Sequence, residues 1–154
     1  MKAACQFCKI ITDGLSENTV YRDKDVTAFL DKRPLFFGHL LLVPNRHVAT
    51  LDDLRHDEIL PLFCTAQLLS RAVQRAVEAA GSFVAMNNRV SQSVPHLHIH
   101  IVPRNPKDGL RGFFWPRKKY ESPAHMQLVS QKIKQAIGKE KKSETSGSQS
   151  HDRK

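Results

Sequence analysis

The segment VPHLHIHIVP, residues 94–103, sets His96, His98 and His100 on alternate positions of an otherwise apolar run. On an extended strand, residues i, i+2 and i+4 share one face at a spacing of about 7 Å. Three imidazoles then line one surface while Leu97, Ile99 and Ile101 turn to the other. Imidazole offers two chemistries in such a row. As a neutral base it is a metal ligand. As a nucleophile it attacks electrophilic phosphorus at neutral pH, and water readily splits the phosphorus–nitrogen bond that results. In the second case the flanking imidazoles bind phosphate oxygens or move protons. Directly upstream, NNRVSQS (87–93) supplies small polar side chains suited to holding a phosphate. A solvated strand face is the bland alternative, and histidine at all three alternate positions argues against it.

A second candidate is Cys5-Gln6-Phe7-Cys8, a C-x-x-C pair. In a reducing compartment that spacing points to metal or redox chemistry before a structural disulfide. Cys64 stands alone in a helical pattern and is expected to be a core thiol. The net charge is +9, and the last 17 residues, with five basic and three acidic side chains, account for little of it. Residues 103–119 hold six basic side chains against the single acid Asp108, a local field that favours an anionic ligand. No apolar run approaches the ~20 residues that span a bilayer, and MKAACQFCKII is too short and mixed for a secretory signal. The expectation is a cytoplasmic protein with no membrane partner.

The elements that must position these groups are legible in outline. Residues 5–12 suit a short helix. TVYRDKDVTAFLD (19–31) reads as two strands around the turn Arg22–Asp25, and HLLLVP (39–44) as a buried strand ended by proline. Residues 54–80 carry apolar positions at helical period and are closed by Gly81. SFVAMN (82–87) and HLHIHIVP (96–103) read as strands, and 123–137 as a weaker amphipathic helix. The pattern predicts an α+β domain over 1–137: a mostly antiparallel five-stranded sheet, one long helix and a C-terminal helix. The tail, 138–154, is nearly devoid of apolar residues and is expected to be disordered.

The run His96-Leu97-His98-Ile99-His100-Ile101-Val102 resembles the signature of the histidine-triad (HIT) superfamily. Other pieces agree in order: Cys5-Gln6-Phe7-Cys8-Lys9-Ile10-Ile11, Ala28-Phe29-Leu30-Asp31, Gly38-His39-Leu40-Leu41-Leu42-Val43-Pro44-Asn45-Arg46-His47, and Gln92-Ser93-Val94-Pro95. The resemblance covers roughly residues 5–104 and is to bacterial-type nucleotide hydrolases with an N-terminal C-x-x-C.

The resemblance implies a HIT-like fold and a nucleotide hydrolase or nucleotidyl transferase. His98 attacks the α-phosphorus of a dinucleoside polyphosphate or nucleoside phosphoramidate, and water releases the nucleoside monophosphate. His100 contacts the α-phosphate, with Gln92, Ser93 and Asn87 or Asn88 on phosphate oxygens. Asp31 takes the ribose hydroxyls, while Phe29, Leu30 and Ile10 pack on the base, expected to be adenine. Cys5, Cys8, His47 and His96 form a structural zinc site, a closed Cys2His2 set. His100 stands where the transferase branch carries glutamine, which favours hydrolysis. A dinucleotide phosphorylase and a non-catalytic nucleotide- or nucleic-acid-binding scaffold are the alternatives, with nucleic acid the less favoured partner. The resemblance also implies a homodimer through the long helix and adjoining strand. The stretch 87–92 departs from the family by lacking glycines and running about two residues short. GLRGFFWPRKKY (109–120), with Phe113, Phe114, Trp115, Arg111 and Arg117, lies beyond the shared motifs. It suits either a cover over the site or a dimer or core segment.

Overall fold

A computed structural model describes residues 5–13, 18–110 and 118–148, with side chains to residue 139. The chain divides into two compact units, Met1–Arg111 and Gly112–Lys154. The first contains α1 (Gln6–Asp13), β1 (Thr19–Arg22), β2 (Val26–Leu30), β3 (Leu40–Pro44), α2 (His56–Ala76), β4 (Gly81–Ala85) and β5 (Ile99–Arg104). Its five strands form one sheet in the order β1-β2-β3-β5-β4, with every neighbouring pair antiparallel. The α+β architecture with a five-stranded antiparallel sheet is therefore as expected. No helix among the described residues is long and apolar enough to cross a membrane.

Both faces of the central strands are covered, which is why HLLLVP reads as an unbroken apolar run. Leu40 and Leu42 of β3 turn to one core with Val26, Ala28, Leu97, Ile99 and Ile101. The buried stripe of α2, Leu62, Ala66, Leu69 and Val73, closes that core at helical spacing. Leu41 and Val43 turn to the opposite face, where they meet Phe29, Val94 and the α1 residues Phe7 and Ile11. The period-2 alternation puts the even-numbered histidines on the α1 face, away from α2.

Several boundaries differ from expectation. α2 ends at Ala76, before Gly81: Glu78 takes φ 53° and the Ala79 N–H reaches back 2.9 Å to the Gln74 carbonyl, a Schellman closure made without glycine. Gly81 opens β4 instead. Cys64 is exposed, not a core thiol, because it falls beside the buried stripe of α2. Regular pairing in β5 begins at Ile99, so His96 and His98 lie on its extended lead-in. In the second unit, α3 (Pro123–Ser148) continues past 137 into the stretch expected to be disordered. That stretch lacks apolar residues for a core, and its strong helix formers are confined to Lys139–Lys142 and Glu144. Residues 111–117, with Phe113, Phe114, Trp115, Arg111 and Arg117, lie outside the described residues.

Candidate active site and metal centre

The three histidines are held by different partners, and those partners fix which ring nitrogen carries the proton. At His98, Nδ1 lies 2.7 Å from the His96 carbonyl oxygen. A carbonyl can only accept, so Nδ1 carries a hydrogen, and in the neutral ring Nε2 keeps its lone pair. At His96 the Nε2–H donates to the Pro44 carbonyl at 2.9 Å, which leaves Nδ1 as the free base. The two imidazoles thus turn opposite nitrogens to their surroundings. His96 is fully buried and His98 only 3% exposed.

His100 depends on a fourth histidine. The Leu35 N–H donates to His39 Nδ1 at 3.2 Å, so the His39 proton sits on Nε2 and is donated to His100 Nδ1 at 3.0 Å. The proton of neutral His100 is then on its own Nε2. Burial, reinforced by neighbouring His98 and His39, pushes the His100 imidazolium down to about 4. Burial also lowers His39, partly offset by Asp31. Both rings are neutral at pH 7, and His100 presents one N–H donor beside the bare nitrogen of His98, at a ring separation of 4.9 Å. His39, buried at the start of β3, was not among the residues singled out from sequence, although the Gly38-His39 motif contains it. Gly38 is at φ 94°, and a Cβ there would press on Val73 and Val77 at 3.1 Å, so glycine permits the close turn that delivers His39.

Asp31, Phe29, Leu30 and Ile10 do come together. They line a cleft of about 450 Å³ with Phe7, Leu41 and the polar rim of Gln6, Lys9 and Asn18. That volume suits a small ligand such as a nucleoside. Strand register joins the cleft to the histidines: Phe29 pairs with Leu41, and Leu41 with His100, in one row across β2, β3 and β5. Two strand spacings separate Phe29 from His100, roughly 10 Å. The Asp31 carboxylate accepts the Arg33 N–H at 2.9 Å through Oδ1, and its Oδ2 lies 3.6 Å from His39 Nδ1.

The loop between β4 and the histidines separates its two asparagines. Ala85 pairs with His100 as the last pair of that ladder, and beyond it the Asn87 amide donates to the Ser91 carbonyl at 3.3 Å. Asn88 instead accepts the Leu51 N–H at 2.7 Å. Gln92 accepts the Arg89 N–H at 3.0 Å and donates to the Ala49 carbonyl at 2.6 Å, so its amide staples the loop. Ser93 is exposed on the same loop. With no glycine present, Arg89 and Ser91 themselves adopt left-handed backbone, φ 66° and 58°.

Cys5, Cys8, His47 and His96 converge from α1, the β3–α2 connection and the β5 lead-in, their ligand atoms all within 4.8 Å of one another. Cys5 Sγ and Cys8 Sγ lie 3.5 and 3.6 Å from His96 Nδ1, and Cys8 Sγ lies 3.2 Å from His47 Nδ1. Ligands 2.0–2.3 Å from a tetrahedral ion sit about 3.5 Å apart. The four residues fit a metal ion, and the free Nδ1 of His96 is the nitrogen that faces the sulfurs. Burial lowers the His96 imidazolium, which keeps that nitrogen unprotonated. Asp31, His39 and His100 form a second close group, but there the hydrogen bond between the rings already engages both facing nitrogens.

A histidine-bearing segment thus stands beside a nucleoside-sized cleft on a five-stranded antiparallel sheet. The HIT domain model matches residues 14–107, and the chain belongs to the HIT family. It is 32% identical over 132 residues to Protein hit of Bacillus subtilis (strain 168), spanning 84% of this chain and 91% of that one. It is 34% identical over 90 residues to the asymmetrical bis(5'-nucleosyl)-tetraphosphatase of Schizosaccharomyces pombe, spanning 57% of this chain and 50% of that protein. Among solved structures, a HIT family member from Bacillus subtilis superposes with a TM-score of 0.77 at 31% identity, over 86% of this chain and 96% of that one. A zinc-bound histidine triad family protein from Mycobacterium smegmatis superposes with a TM-score of 0.65 at 28% identity, over 88% and 96%.

Proposed function

We propose that the chain is a nucleotide hydrolase working through a covalent nucleotidyl-histidine on His98. The observation that carries this is the pair of fixed tautomers: His98 presents a bare Nε2 beside a His100 that presents Nε2–H. With the base against Phe29, Leu30 and Ile10 and the ribose on Asp31, the α-phosphorus comes to the histidines. His98 Nε2 attacks phosphorus, the bond from phosphorus to the leaving group breaks, and the leaving group takes the electron pair. Positive charge builds on the imidazole and is met by the Nδ1–H bond to the His96 carbonyl. His100 Nε2–H and Asn87 hold the non-bridging oxygens, while Gln92 shapes the loop that carries Asn87 and Ser93. Water then attacks phosphorus, the phosphorus–nitrogen bond breaks, and the nucleoside monophosphate leaves with His98 restored.

The named activity of the Schizosaccharomyces pombe relative supports a (di)nucleoside polyphosphate or related substrate. The broad apolar walls at Phe29 and Ile10 suit a purine, adenine first. Zinc is the ion proposed for Cys5, Cys8, His47 and His96, on the Cys2His2 donor set and the zinc-bound neighbour. Four protein ligands leave no open position, so its contribution is to stability and placement. A homodimer is supported by the apolar side chains that α2 and β4 leave exposed, Leu60, Phe63, Leu68 and Val84.

The test is steady-state release of AMP from an adenosine phosphoramidate and from a diadenosine polyphosphate, with and without inorganic phosphate. His98→Ala is expected to lose turnover while binding AMP as the wild type does. Turnover at the wild-type rate in that variant rules the reading out. Release of ADP only when phosphate is supplied reassigns the chain as a phosphorylase.

A further inference from the structure

One helix serves both centres. Cys5, directly before α1, and Cys8 within it face His96 and His47, while Gln6, Phe7, Lys9 and Ile10 form a wall of the nucleoside cleft. Phe7, between the two cysteines, touches both sides. Its ring lies edge-on to His98 at 5.3 Å and to His96 at 5.9 Å, and 5.4 Å from Phe29. It is 5% exposed.

We infer that α1 is a latch coupling the metal centre to the nucleoside cleft, with Phe7 as the positioning residue that transmits it. The inference rests on the nucleotide and metal readings above. α1 has eight residues, too few to persist on its own helical propensity. It is held by Phe7 and Ile11 in the second core and by its cysteines at the histidine pair. Four ligands closed around an ion fix the register of α1 against the β5 lead-in, and with it the wall that Phe7 and Ile10 give the base. Without the ion, Phe7, Ile11 and the partly buried Ile10 remain to order the helix, and a nucleoside binding against that wall must supply the rest of the ordering. Metal and nucleotide then bind with positive coupling, and the coupling is reciprocal.

The experiment measures both halves on the full chain. AMP affinity is read by calorimetry with zinc-loaded and chelator-stripped protein. Zinc affinity is read by competition with a chromophoric chelator, with and without saturating AMP. The expected result is about a tenfold gain in AMP affinity on zinc loading and an equal gain in zinc affinity on AMP addition, within the usual range of such couplings. Phe7→Leu keeps all four ligands and is expected to bring both factors close to one. If stripping unfolded the whole domain, coupling through global folding would survive in Phe7→Leu, and that outcome overturns the latch. Equal AMP affinity with and without zinc also overturns it while leaving the nucleotide reading intact. AMP binding to neither form overturns that reading as well, and failure to bind zinc overturns the latch together with the metal site.

Discussion

Replacing His39 tests whether the fourth histidine sets the working state of the third. His39 is 3% exposed, and its Nε2–H is the hydrogen bond that holds His100 with its proton on the outward nitrogen. In His39→Ala, the His100 Nδ1 acceptor and the Leu35 N–H donor both lose their partner. An unsatisfied buried polar group costs about 1–3 kcal/mol, and part of that loss is relieved if His100 moves its proton to Nδ1, which removes the donor facing phosphate. At about 1.4 kcal/mol per factor of ten, kcat/KM is expected to fall roughly 10- to 100-fold. The fall belongs in kcat, because His39 is not among the residues lining the cleft. His39→Gln can place an amide N–H near the position of Nε2 and is expected to recover most of the loss. The assay is AMP release from an adenosine phosphoramidate across a range of substrate concentrations. An alanine variant within twofold of wild type, or a glutamine variant no better than alanine, refutes the reasoning.

Other consequences concern stability. Burial lowers the imidazolium pKa of both His39 and His100, so their neutral forms contribute stability that is complete above pH 6.5 and is lost as pH falls below it, for His100 towards about 4. Urea unfolding between pH 7 and 5 is expected to show stability falling by up to about 1.4 kcal/mol per pH unit for each ring, and the slope should shrink in His39→Gln. Glu58, held at about 2 by its hydrogen bonds from Arg46, contributes in a lower window, present above pH 4.5 and lost towards 2. Glu58→Gln should flatten the limb of a titration continued below pH 4.5 without altering the limb between pH 7 and 5. Glu78→Gly removes a side chain from the left-handed position that ends α2 and is expected to raise the unfolding free energy measured in urea by about 1 kcal/mol, with AMP release unchanged.

Much of the site could be read from spacing because strands convert period directly into facing. The alternation over 96–101 sends Leu97, Ile99 and Ile101 to one core and the histidines to the other face. The motif order also brought Phe29, Leu30, Asp31 and Ile10 to one cleft, although α1 and β2 lie far apart in sequence. What stayed hidden depends on partners rather than period. His39 lies 61 residues from His100 in sequence, and only the pairing of β3 with β5 makes them neighbours. Asn87 and Asn88 are chemically identical, and their different partners, the Ser91 carbonyl for the first and the Leu51 N–H for the second, come from the loop's fold and not from spacing. Phe7 acquires its place only from the two centres on either side of it. Glu78 breaks the usual glycine rule at the end of a helix, and the sequence alone points to Gly81 as the stop.

The most direct test of the central claim is intact-protein mass spectrometry after rapid quench, with the zinc-loaded chain and an adenosine phosphoramidate. The account predicts a transient mass increase of one adenylyl group in the wild type, carried by the peptide containing His98 and absent from His98→Ala. An adenylyl group on another residue, or AMP released at the wild-type rate by His98→Ala with no adduct, contradicts it.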